Sequence, residues 1–105
     1  MMELDQKYVL HIPLYKFVDD ELILIEIDDL LEDLFDKLDA ESLYMTTVKS
    51  VYKKRVYDEI LITIFACEKS PVDEFSKWFH KNNDVLCQEA FAYEIENRLI
   101  IEKLM

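Results

Sequence analysis

Apolar residues are distributed along this chain in two regular patterns, and each predicts a different kind of element. From Ile27 they fall at Ile27, Leu30, Leu31, Leu34, Phe35 and Leu38, the 3.6-residue spacing of a helix with one buried side. Asp28 is the expected N-cap, because its carboxylate can accept a bond from a free first-turn amide. A second helix is predicted in SPVDEFSKWFHKNND, with Ser70 as N-cap, Pro71 at the first helical position, and Asp73 and Glu74 in the first turn. Val72, Phe75 and Phe79 form its apolar stripe with Trp78 beside it, and Asn82 and Asn83 read as its end.

The other segments carry the period of two, or the β-branched and aromatic content, of strands. KYVLHIPLYKF, Lys7 to Phe17, is a strand that Pro13 should interrupt, since proline has no N–H to give to a ladder. ELILIEI, Glu21 to Ile27, is a continuous apolar run compatible with a strand or an early helix start, and the strand is preferred. Ser42 to Cys67 predicts a long antiparallel hairpin in which Ile60, Ile62 and Ile64 alternate with Leu61, Thr63 and Phe65, reversing at Lys53-Lys54-Arg55. Phe91, Tyr93 and Ile95 alternate again, and Asn97 turns the chain into a last hairpin with Arg98 to Glu102.

Strand, short strand, helix, two strands, helix and strand or hairpin is the βαββαβ plan with additions. It predicts a ferredoxin-like α+β sandwich, an antiparallel sheet with two helices on one face, with an irregular α+β sheet as the fallback. The uncovered sheet face would then seek a ligand or a second subunit, so a homo-oligomer, a dimer, is expected.

Composition narrows this further. A chain of 105 residues makes one domain, residues 1–105, and 51% hydrophobic residues place it outside the disordered class despite a net charge of −11. No apolar run nears the roughly 18 residues that a membrane span needs, and MMELDQK lacks the basic start of a signal peptide. The expectation is a cytoplasmic protein with no membrane partner. Glycine is absent. Phosphate-cradling loops need its positive φ and close backbone approach, so Walker-A, Rossmann and kinase-type sites are missing, as is the G-x-S-x-G elbow.

Candidate chemistry is sparse. Cys67 and Cys87 are flanked by apolar residues and read as reduced thiols in or near the core. His11 and His80 stand alone, with no C-x-x-C or H-x-x-x-H spacing, so no metal or other cofactor is expected. Lys49, Lys53, Lys54 and Arg55 lie near Tyr52 and Tyr57, a mixture found in nucleic-acid binders. A domain at −11 repels phosphate, however, and the tip reads as a solvated strand end rather than a direct nucleic-acid contact.

Charge supplies the sharpest feature. Residues 1–47 hold 13 acids and 3 bases, for −10, and residues 48–105 hold 10 acids and 9 bases, for −1. On the first helix Asp28, Asp29, Glu32, Asp33, Asp36 and Asp39 oppose the apolar stripe, and like pairs four residues apart are mildly repulsive. The helix dipole favours the first three but opposes Asp36 and Asp39. These six residues are therefore the expected contact for a basic partner protein, and the expected role is a small non-enzymatic binding or regulatory domain. Two alternatives remain: an inhibitor, viral or from a mobile element, whose carboxylates mimic nucleic-acid phosphates, and a small enzyme or ligand binder with a pocket between sheet and helices built from Tyr, His and Glu side chains.

Overall fold

Tyr8, Leu10 and Ile12 are all buried on one face of β1 (Gln6–Pro13), and this strand is the centre around which the rest is arranged. A computed structural model describes residues 6–38, 42–52, 54–66 and 69–104. Five strands form one sheet in the order β4 (Ser42–Tyr52), β5 (Arg55–Ala66), β1, β6 (Ala90–Ile95) and β7 (Arg98–Lys103), with every neighbouring pair antiparallel. β2 (Tyr15–Val18) and β3 (Glu21–Leu24) make a separate two-stranded hairpin. The architecture is α+β, with α1 (Asp28–Lys37) and α2 (Val72–Leu86) packed against the sheet.

The register explains why both helices share a face. Tyr8 pairs with Ile64 and Ile95, and Leu10 with Ile62 and Tyr93, so these residues point the same way from three adjacent strands. Leu31 and Leu34 of α1 and Phe75, Trp78, Phe79 and Leu86 of α2 close over them in one core. Phe75, Phe79 and Phe91 meet edge-to-face or stacked at 5.0–5.8 Å, distances at which aromatic pairs add to simple burial. Trp78 Nε1 donates to the Leu30 carbonyl at 2.8 Å and so ties α2 to α1.

Several local expectations change. Pro13 does end β1, and the chain resumes as β2 one residue beyond it; Glu21–Leu24 is a strand, as preferred. Asp28 is not the N-cap: Ile27 occupies that position with helical dihedrals and no side-chain cap bond. Its burial, at 6% exposure, fixes the helix start where a capping bond was expected. The second helix begins at Val72, one residue later than predicted, with the Val72 amide donating to Ser70 Oγ at 3.2 Å. It also runs through Asn82 and Asn83 to Leu86, because Leu86 is fully buried and Asn82 donates back to the Trp78 carbonyl. Asn83 stabilises the true end from within the last turn, donating to the Gln88 carbonyl and accepting the Gln88 amide.

Cys87, expected in or near the core, is exposed and ends α2 in the left-handed conformation at φ 52°. With no glycine to take such positions, the chain also places Asp19, Asp20, Lys54, Glu96 and Asn97 at positive φ, which are its hairpin reversals. Cys67 lies outside the described residues. No helix among the described residues is long and apolar enough to cross a membrane.

Candidate functional site

The sheet face turned away from the helices carries His11 on β1, and the two flanking strands, β5 and β6, each bring an acid to it. His11 pairs with Leu61, and Glu59 lies two residues along β5 on the same face; Val9 pairs with Glu94, which puts that carboxylate on the other flank. His11 Nδ1 lies 3.1 Å from Glu59 Oε1 and Nε2 lies 2.8 Å from Glu94 Oε2. The three side chains are only 20%, 22% and 30% exposed. A neutral imidazole has one N–H, so only the imidazolium can donate to both acids at once.

The electrostatics agree with this geometry. Burial works to lower the His11 pKa, but the hydrogen bonds and charges of Glu59 and Glu94 outweigh it, leaving the pKa raised above the ordinary 6.5. Burial works in the opposite sense on Glu59, and hydrogen bonds from His11 and Ser50 overcome it to leave that carboxyl below its ordinary 4.5. Each partner thus favours the charged form of the other.

Beside this pair opens a cleft of about 930 Å³, within the range of roughly 300–1,000 Å³ usual for small-molecule sites. It lies where β1 runs out, β5 and β6 begin and α2 ends. His11, Ser50 and Glu59 line it together with Phe17, Arg55 and Tyr57. Phe17 and Tyr57 meet edge-to-face at 6.1 Å, and the Arg55 guanidinium carbon lies 5.2 Å from the centre of the Phe17 ring. Two contacts of β2 and one across the base of the β2–β3 hairpin hold it as a wall. Lys16 Nζ donates to the Val85 carbonyl at 2.9 Å, Gln88 Nε2 donates to the Tyr15 carbonyl at 3.0 Å, and the Ile25 amide donates to the Leu14 carbonyl at 2.8 Å.

The residues predicted for partner contact lie elsewhere. Asp28, Asp29, Glu32 and Asp36 are exposed on α1, while Asp33 is half-buried and lies 3.8 Å from Lys37 and 4.0 Å from Lys81 of α2. Asp39 is outside the described residues. His80 is exposed and stands edge-on to Phe91. No group of three or more metal-ligating side chains is found among the described residues.

His11 with Glu59 and Glu94 is the grouping that sequence reasoning missed. The acids lie 48 and 83 positions from the histidine, so no local motif joins them. The available signal was subtler: each is a charged or ionisable residue on the alternate face of an otherwise apolar strand, in YVLHIP, DEILITIF and FAYEIE.

No protein-family model matches the chain, and no curated protein matches it in sequence. Among solved structures, it is similar in fold to a phage SAM lyase in the apo state. That likeness has a TM-score of 0.64 and 14% identity over 98% of this chain and 94% of the other. A phage SAM lyase in complex with S-methyl-5'-thioadenosine matches with a TM-score of 0.61 and 14% identity, over 98% and 95% of the two chains. The likeness corrects the expectation of a non-enzymatic binding or homodimerising module engaging a basic partner through an acidic helix. An enzyme uses this fold over its whole length, so missing nucleotide-loop and nucleophile motifs do not argue against catalysis here.

Proposed function

We propose that this chain is a small lyase that binds S-adenosylmethionine, or a closely related sulfonium nucleoside, in the cleft beside His11. The carrying observation is the fold likeness to phage SAM lyase, which spans 98% of the chain. The cleft supports it with a suitable volume, an aromatic wall and half-buried carboxylates. Within this reading the fold is ferredoxin-like. Setting aside the β2–β3 hairpin and β7 leaves β1-α1-β4-β5-α2-β6, with sheet order β4-β5-β1-β6, an order that supports the split βαβ reading.

The chemistry suits a site of this kind. Release of S-methyl-5'-thioadenosine breaks the bond between the sulfonium sulfur and the methionine γ-carbon, and sulfur keeps the electron pair as a neutral thioether. The γ-carbon is then satisfied by the substrate's own carboxylate oxygen, giving a lactone, or by loss of a neighbouring proton to a base, giving an alkene. Both routes conserve atoms and electrons without a second substrate. Positive charge is lost from sulfur as the bond breaks, so an aromatic wall such as Phe17 and Tyr57 can hold the sulfonium by cation–π attraction without the full ground-state stabilisation of a carboxylate. Glu59, kept ionised by His11, is better placed to accept bonds from ribose hydroxyls or the α-ammonium group.

Incubation of the purified protein with S-adenosylmethionine, followed by chromatography and mass spectrometry, tests this reading. S-methyl-5'-thioadenosine should accumulate with time, and Glu59→Gln should slow it by roughly 100-fold or more, in line with loss of a positioned charged group. Absence of both product and binding at millimolar substrate would refute it.

A further inference from the structure

We infer that Arg55 is the carboxylate-binding residue of the cleft, taking the α-carboxylate at the amino-acid end of the sulfonium nucleoside. This rests on the function proposed above and assigns the direction in which the ligand lies. Arg55, Tyr57 and Glu59 alternate along β5 and so face the same side of the sheet, at steps of about 6.8 Å for each pair of residues. One strand thus presents a cation, an aromatic ring and a carboxylate in a row beside the cleft, and all three line it. S-adenosylmethionine carries a matching sequence along its length: carboxylate and ammonium at one end, sulfonium in the middle, ribose and base at the other.

Two observations single out Arg55. Of the lysine and the arginine that line the cleft, Lys16 is engaged with the Val85 carbonyl, whereas Arg55 makes no ion pair with any acid among the described residues. Its guanidinium is also held against the Phe17 ring at 5.2 Å. A guanidinium set over an aromatic ring can still offer its N–H fork, which donates to a carboxylate through two parallel bonds. Asp20, Asp58 and Glu89 also line the cleft. They give it a negative field that suits the ammonium and sulfonium charges but would repel a carboxylate not met by a cation. Orientation then follows: the carboxylate lies toward the β4–β5 turn, the sulfonium near Tyr57 and Phe17, and the nucleoside toward His11.

Calorimetric titration of the full chain with S-adenosylmethionine and, separately, with S-methyl-5'-thioadenosine, which lacks the amino-acid end, tests the assignment. Arg55→Met keeps the apolar stem over Phe17 and removes the charge; Arg55→Lys keeps the charge and removes the fork. Arg55→Met should weaken S-adenosylmethionine about 10- to 100-fold and change S-methyl-5'-thioadenosine by less than about two-fold, with Arg55→Lys in between. Equal weakening of both ligands, or no change for either, would overturn the assignment while leaving the cleft as a nucleoside site. If the unaltered protein binds neither ligand, the function proposed above fails and the assignment falls with it. Circular dichroism of each variant separates loss of a contact from loss of fold.

Discussion

His11 illustrates how a single residue can couple stability to pH. Its pKa is raised in the folded state, so the folded protein binds that proton more tightly than the unfolded chain. The resulting stabilisation is complete below the unfolded value near 6.5 and is lost as pH rises through the raised folded value. Glu59 behaves in the opposite sense: its lowered pKa gives stability that is complete above about 4.5 and is lost as pH falls through the depressed value. Together they define a plateau between about pH 4.5 and 6.5. His11→Asn should lower stability by about 1–3 kcal/mol on that plateau, the scale of hydrogen bonds to charged groups. The difference from the unaltered protein should shrink at alkaline pH, as thermal unfolding at several pH values would read. Equal destabilisation at every pH would show that packing, not charge, is the basis of the effect. None of this was legible from the neighbours of His11 in sequence, because Glu59 and Glu94 reach it only through strand register.

The elements themselves were more readable, and the places where the reading failed share a cause. The helical stripe from Ile27 and the alternation around Ile62 and Tyr93 were legible because burial on one side imposes the period directly. Polar residues misled where burial decided the outcome. Asn82 and Asn83 look like a stop, yet Leu86 beyond them is drawn into the core and extends α2 by another turn. Asp28 looks like a cap, yet the buried Ile27 sets the start of α1. Trp78, read as lying beside the stripe, is fully buried and joins the two helices through its bond to Leu30. Trp78→Phe should therefore cost about 2–4 kcal/mol, from a cavity and the loss of the indole hydrogen bond, measured as a lower urea midpoint by circular dichroism. A change below about 0.5 kcal/mol, the scale of an ordinary surface substitution, would mean that the α1–α2 junction does not depend on this indole.

For the molecule as a whole, the dominant fact is a net charge of −11 whose excess lies in the first 47 residues. Lysines from the chain's own helices relieve one point of this, with Lys37 and Lys81 both near Asp33, while Asp28, Asp29, Glu32 and Asp36 stay exposed. Self-repulsion of that kind weakens the compact state and is screened by salt. Raising sodium chloride from about 0.01 to about 1 M, which shortens the screening length from about 30 to about 3 Å, should raise the unfolding temperature. A fall would show that attractive pairs such as Lys49 with Asp58 outweigh the repulsion. The aromatic cluster at the centre has an optical consequence. Trp78 is the single tryptophan of the chain, shielded from water and stacked on Phe75, so the folded protein should fluoresce at short wavelength and shift to the red on unfolding. Phe79, its edge-to-face neighbour, also lines the cleft. The same indole is therefore positioned to report occupancy of that space without any attached dye.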